Sequence, residues 1–177
     1  KIYTDWGFMT ASEAITADVE QIFVHLASQH KLPKMNKLLM APFMLQDAIV
    51  NQIELLDRDA SRGKKTRIVC KMNALTDVRI ARALLSAAKS GVEVDLIVRG
   101  ACILPAFESQ GTGRIRVRSV IGRFLEHTRV FYFESQGIDQ LWLSSADFMS
   151  RNMIRRIELA WPIEDSNLKA RILEEGL

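Results

Sequence analysis

The stretch from residue 66 to residue 100 limits the possible folds more than any other. "TRIVCKMN" (66–73) and "VEVDLIVRG" (92–100) are short apolar runs bounded by turn residues, the pattern of two buried strands. Between them, "TDVRIARALLSAAKSG" (76–91) has apolar residues at helical spacing and closes on Gly91, a helix stop. A strand, a helix of about four turns and a second strand join by a right-handed crossover, which makes the strands parallel. Parallel strands need cover on both sides. The expectation is an α/β fold, a mixed β-sheet flanked by helices on both faces.

The rest of the chain supplies elements for such a sheet. After an extended lead over residues 1–10, "TASEAITADVEQIFVHLAS" opens with a capping box, Thr10 and Glu13, and continues with Val19, Ile22, Phe23 and Leu26 at helical spacing. "KLLMAPF" is a short strand ended by Pro42, and "MLQDAIVNQIELLDRDA" a second amphipathic helix. "ACILPAFESQGTG" reads as a loop. "RIRVRSV", "HTRVFYFES", "QLWLSS" and "RRIELAWPI" read as strands, with "ADFMSRN" a turn or short helix and "DSNLKARILEE" a closing helix. At 177 residues the chain suits one domain, 1–177, with a proper core. It begins at Lys1 without an initiator Met, which reads as a piece of something larger.

Charge and cysteines exclude several function classes. A net charge of +3 does not indicate a nucleic-acid partner. Its distribution matters more: from Arg114 to Arg129 there are five arginines and one acid, Glu126. Cys70 and Cys102 lie in apolar or post-strand settings with no C-x-x-C and no His/Cys cluster, so both read as reduced and no metal site is expected. No stretch has the pattern of a signal peptide, and no apolar run is long enough to span a bilayer.

In open α/β sheets ligands gather beyond the carboxyl ends of the strands, and those ends carry Lys71, Asn73 and Arg99. Arg99 suits an anion, with Gly100 allowing close backbone approach, or a salt bridge to a neighbouring loop. His127 stands among Arg118, Arg123 and Arg129. An imidazole there can be a nucleophile toward phosphorus, a proton donor, a phosphate ligand, or a structural residue bonded to a carboxylate. Arg114, Arg116 and Arg118 alternate along one strand face, which is either solvated or turned to an anion or to carboxylates from elsewhere. "SSADFMSRN" places small hydroxyl residues at a strand end, followed by Asp147, Arg151 and Asn152. His25 and His30 read as structural or solvent-exposed.

The frame His127-Thr128-Arg129, then Glu134, then "SSAD" at 144–147 resembles the H-x-K-x4-D and G-S-x-N motifs of the phospholipase D superfamily. Lysine has become arginine, aspartate glutamate and asparagine aspartate, changes that argue against an ordinary phosphodiesterase. A broader resemblance runs from Tyr3 to Leu173. "YTDWGFMTA", "KLLMAPF", "VCKMNALTD", "VEVDLIVRG", "IRVRSVIGRFLEHTRVFYFES", "SSADFMSRNMIRRIE" and "PIEDSNLK" together look like the C-terminal, phospholipase D-like domain of the bacterial polyphosphate kinase family.

That resemblance implies a cytoplasmic enzyme that reversibly moves the terminal phosphate of ATP onto long-chain polyphosphate through a phosphohistidine. It places that histidine, and the magnesium ligands, in domains preceding this one, and implies a homo-oligomer in the full-length protein. Here it implies a catalytic role for His127 and ATP or phosphate binding by Tyr3, Arg99 and His127. Tyr3 offers its ring to the adenine. Lys71, Asn73, Arg118, Arg123, Arg129 and Arg151 are further candidate phosphate contacts. The family's Cys-Leu-Arg-Pro after D-L-I-V-R-G is "ACILPAF" here, without the arginine, and Phe148 replaces the usual tryptophan. The competing expectations are a phospholipase D-like phosphodiesterase or nuclease acting as a dimer, and a non-catalytic polyanion-binding module using "RIRVRS". Peripheral membrane association is compatible with the family but not indicated by the sequence.

Overall fold

The computed structural model describes residues 2–28, 31–104 and 114–177. In chain order the elements are β1 (Tyr3–Thr4), α1 (Glu13–Ser28), β2 (Leu39–Ala41), α2 (Leu45–Ser61), β3 (Thr66–Met72), α3 (Val78–Ser90), β4 (Glu93–Val98), β5 (Ile115–Arg118), β6 (Leu125–Glu126), β7 (Val130–Ser135), β8 (Ile138–Ser144), α4 (Ser150–Ile154), β9 (Glu158–Pro162) and α5 (Ser166–Gly176). Seven strands form one sheet in the order β2-β9-β8-β7-β3-β4-β5, and β1 pairs with β6 as a separate two-stranded ladder. The expected mixed sheet is present: β3 and β4 are parallel, β4 and β5 are parallel, and β3 and β7 are antiparallel.

Alternation along the strands divides the core as a pleated sheet requires. Ile68, Cys70 and Met72 of β3, Val94, Leu96 and Val98 of β4, and Phe131 and Phe133 of β7 pack against α2 and α3. Val69, Val130, Tyr132, Leu141 and Leu143 face the other way, toward Ile172 of α5 and Trp6 and Phe8 of the lead. Helix α1 covers that same side beyond β9, through Ile15 and Ile22 against Met40 and Trp161. Helices thus lie on both faces. Phe148 is fully buried against Phe131, with ring centroids 4.5 Å apart, so the smaller aromatic still fills the core.

The crossover forms where the sequence places it. Asp77 caps α3 by accepting from the Ile80 amide at 3.0 Å, and Gly91 closes it with φ at 116°. The start of α1 differs from expectation. Thr10 Oγ1 accepts from the Ser12 amide, two residues on, and the first helical bond runs from Thr16 N to Ser12 O. The Thr10–Glu13 capping box is therefore replaced by a start at Ser12. The buried face of α1 is Ile15, Asp18 and Ile22, while Phe23 and Leu26 are exposed. Apolar spacing alone could not reveal this, because the inward residue between Ile15 and Ile22 is a carboxylate.

Asp18 anchors the helix. It is 1% exposed and accepts from the backbone amides of Asn36, Lys37 and Leu38 and from the Asn36 side chain, at 2.7–3.0 Å. Burial alone would raise its pKa, but these amides together favour the anion and hold it below the ordinary 3.8. Its contribution to stability is fully present above the unfolded value and is lost as pH falls through the lower folded value. Asp18→Ala should cost about 1.5–3 kcal/mol near neutral pH, the range for hydrogen bonds to a charged group. The difference from the parent chain, read by urea unfolding, should shrink below pH 3.8. A constant difference across the acid range would remove the carboxylate from this role.

Candidate active site

β3 and β4 run parallel, so Asn73 and Arg99 lie just beyond neighbouring carboxyl ends. β7 runs the opposite way beside β3, with Lys71 opposite Val130, so residues 127–129 enter at that same edge. The "SSAD" turn after β8 completes it, because Val130 lies opposite Leu143. These strand ends surround a cavity of about 570 Å³ lined by Asn73, Arg99, His127, Arg129, Ser145, Asp147, Arg151, Asn152, Arg156 and Glu158, among others. Arg99 and His127 therefore share one mouth. Gly100 fits closely beside them: a Cβ there would sit 3.1 Å from the Asn73 carbonyl, which accepts from the Gly100 amide at 2.8 Å and would have to shift slightly.

His127 is held from three sides. Its Nδ1–H donates to Asp5 Oδ2 at 2.7 Å, since a carboxylate can only accept. Arg129 Nη1 donates to the His127 carbonyl at 2.9 Å and lies 3.3 Å from Nε2. Arg129 Nη1 is also 3.2 Å from Nδ1 and so lies against both ring nitrogens, and it is the Asp5 carboxylate that places the proton on Nδ1 and leaves Nε2 as the basic nitrogen. Tyr3 packs edge-on against the imidazole, with centroids 5.1 Å apart, and its ring is largely exposed. These contacts exist because β1 pairs in parallel with β6: Thr4 lies opposite Glu126, and the His127 amide donates to the Thr4 carbonyl.

Charge at the mouth is partly compensated. Arg129 donates through Nε and Nη2 to the two oxygens of Asp147, each at 3.2 Å, and Asp147 also accepts the Asn73 amide at 2.7 Å. Glu158 is satisfied by neutral donors, Ser145 Oγ and Asn152 Nδ2. Arg99 donates to the Glu126 carbonyl, which leaves its charge uncancelled. Arg151 and Arg156 have no carboxylate partner among the described residues. Four guanidinium groups thus face two carboxylates around the cavity. Such a mouth suits a multiply charged anion.

Several residues singled out in the sequence lie elsewhere. Lys71 pairs with Glu126 at 2.9 Å and donates to the Gly176 carbonyl at 3.0 Å, bracing α5 against the sheet. That pairing holds the Glu126 carboxyl below its usual range, chiefly through the hydrogen bond from Lys71, which outweighs burial. Arg116 is bidentate to Asp95, and Arg114 donates to the Gly91 carbonyl. Arg118 is outside the cavity, and the Arg123 guanidinium lies 6.0 Å from the Phe124 ring centroid. Glu134, at the far end of β7, lies opposite Arg67 and accepts from Tyr132. His25 packs edge-on against Phe43; His30 and residues 105–107 of the altered loop lie outside the described residues. Sequence reading missed Asp5, Arg156 and Glu158. The available signals were the position of Asp5 two residues after Tyr3 and the Arg155-Arg156 pair before β9.

The chain is an α/β module of phospholipase D-like fold with a basic mouth at its strand ends. The chain belongs to the family described as polyphosphate kinase C-terminal domain 2, whose model matches residues 38–175. It is 45% identical over all 177 residues to a polyphosphate kinase of Neisseria meningitidis serogroup B, covering 26% of that protein. It is 43% identical over 175 residues to a polyphosphate kinase of Pseudomonas putida, covering 99% of this chain and 24% of the relative. The chain thus spans about a quarter of the length of these curated relatives. The crystal structure of polyphosphate kinase from Porphyromonas gingivalis superposes with a TM-score of 0.87 at 36% identity, over 94% of this chain and 26% of that one. Nuc from Salmonella typhimurium, a phospholipase D family member, superposes with a TM-score of 0.56 at 18% identity, over 78% of this chain and 88% of that one, a likeness of fold.

The Asp5 contact makes a direct prediction. Asp5→Ala should leave the sheet intact, since the Asp5 side chain is half exposed, but should shift the imidazole toward a mixture of tautomers. Nitrogen-15 shifts of His127 would show this. An unchanged Nδ1–H population would overturn this role for Asp5.

Proposed function

We propose that this chain is the nucleotide- and phosphate-binding part of a polyphosphate kinase, the enzyme that reversibly transfers the terminal phosphate of ATP to long-chain polyphosphate. In this reading residues 1–177 form one domain, and the phosphohistidine lies in a preceding domain of the same polypeptide. The full-length protein is cytoplasmic and homo-oligomeric, and its partners are ATP, ADP and polyphosphate. The observation that carries the reading is the convergence of Arg99, Arg151 and Arg156 with a tautomer-fixed His127 at one mouth.

Each residue then has a role. Arg99, Arg151 and Arg156 hold the oxygens of the nucleotide phosphates. His127 presents Nε2 to the phosphate in transit, accepting a proton or a hydrogen bond, and Asp5 holds the ring. The exposed face of Tyr3 receives the adenine. Phosphoryl transfer leaves little covalent work to the protein, so positioning and charge supply the rate. Among the described residues no group of three or more His, Cys, Asp or Glu could hold a metal ion, and both carboxylates at the mouth are already engaged. These residues do not fit magnesium, and no step here runs through it.

The competing readings are weaker on the same geometry. A phospholipase D-type site needs a free cation after its histidine, whereas Arg129 is committed to Asp147. A polyanion surface along "RIRVRS" loses Arg116 to Asp95.

In the full-length enzyme, Arg99→Ala should lower the rate by roughly 10²-fold or more, the scale for removing one preorganised donor. Arg99→Lys should restore only part, because an ammonium cannot reproduce the guanidinium fork. His127→Gln should cost about 10²- to 10⁴-fold if Nε2 moves a proton. Near-normal steady-state rates in His127→Ala, with the variant folded by circular dichroism, would overturn the assignment.

A further inference from the structure

The cations do not end at the mouth. The strands β7, β3, β4 and β5 are consecutive neighbours, so His127 before β7, Asn73 after β3, Arg99 after β4 and Arg118 at the end of β5 follow one another across the sheet edge. In the parallel β4–β5 ladder Asp95 lies opposite Arg116 and Ile97 opposite Arg118. Residues two apart share a face, so Arg116 and Arg118 are turned to the side of Asp95 and Ile97, and Arg99, just past β4, lines a small cleft with Ile97 and Glu126. Ser119 Oγ donates to the Arg99 carbonyl at 3.1 Å and holds the end of β5 beside the mouth.

On this face Arg67, Arg116 and Lys71 each have a carboxylate partner, while Arg99 and Arg118 have none among the described residues. Asp95, 1% exposed, takes Arg116 at 2.6 and 2.9 Å and Arg67 at 3.3 Å. Glu126 takes Lys71. Among the described residues Arg99 meets only a carbonyl, and the exposed Arg118 makes no hydrogen bond or ion pair. The row from His127 to Arg118 crosses three strand spacings, roughly 14 Å. A nucleotide held by its phosphates at His127 and Arg99 continues into an uncharged ribose. A linear polyphosphate continues with a negative charge on every unit.

From this geometry we infer that Arg118 is a subsite for the body of a linear polyphosphate, engaged by the chain beyond the phosphates held at the mouth. The inference rests on the polyphosphate kinase reading above. Arg116, two residues earlier on the same face, marks where the track ends, because its guanidinium is already engaged by both oxygens of Asp95.

The test uses the full-length enzyme with Arg118→Ala, Arg118→Glu and Arg118→Lys, with KM measured separately for long-chain polyphosphate and for ATP or ADP. Arg118 is exposed at the sheet edge, so the variants should fold. The KM for polyphosphate should rise about threefold in Arg118→Ala and about tenfold in Arg118→Glu, the scale of removing or reversing one exposed charge. Arg118→Lys should recover most of it. The nucleotide KM should move far less. The log–log salt dependence of the polyphosphate KM should fall by about one unit of slope, as when one phosphate of a polyanion is no longer neutralised. An unchanged polyphosphate KM in Arg118→Glu, or equal changes in both constants, overturns the subsite. If Arg99→Ala is impaired while Arg118→Glu is not, only the subsite falls. If Arg99→Ala is also neutral, the reading of the mouth falls with it.

Discussion

The double pairing of β3 is the constraint on which the rest depends. Cys70 lies opposite Leu96 in the parallel ladder with β4 and opposite Phe131 in the antiparallel ladder with β7. A strand with a parallel partner on one side and an antiparallel one on the other brings two chain exits and one chain entry to a single edge. Asn73, Arg99 and the 127–129 segment meet there for that reason. Slipping β7 by one residue would turn Val130 and Tyr132 into the α2–α3 core and expose Phe131 and Phe133 to the other side. The core therefore enforces the register that builds the site.

Around that edge, most charges are assigned to a partner that holds the fold. Asp95 ties β3, β4 and β5 together through Arg67 and Arg116, and Lys71 links β3, β6 and the end of α5. Arg129 and Asp147, each side chain little more than a tenth exposed, form a buried pair, an arrangement that defines geometry more than it adds stability. Arg99, Arg151 and Arg156 stand on this edge without a carboxylate partner among the described residues. Burial forces pairing at Asp95 and at Arg129–Asp147, whereas Arg151 and Arg156 at the mouth are exposed and can stay solvated.

The lead segment shows how a short element can matter to a site. β1 contributes two residues, yet its pairing with β6 sets Asp5 beside the imidazole and Tyr3 against its edge. A side chain on a two-residue ladder has little packing of its own. Its orientation depends on the paired backbone and on the anchoring of Trp6 and Phe8 in the core beneath α5.

Much of this architecture is carried by local sequence. The crossover from 66 to 100 is readable because apolar runs, Asp77 and Gly91 act on their immediate neighbours through burial, capping and φ, and Arg99 beside Gly100 follows from the same stretch. The basic character around His127 is readable for the same reason. Tertiary structure alone decided which charges are neutralised. Arg116 meets Asp95 from 21 positions away, Arg129 meets Asp147 from 18, and His127 meets Asp5 from 122. It also turned α1 inward on Asp18, whose partners lie beyond the end of the helix. The physical reason is range: propensity, capping and periodicity act within a few residues, whereas an ion pair forms wherever strand order and register bring opposite charges within hydrogen-bonding distance.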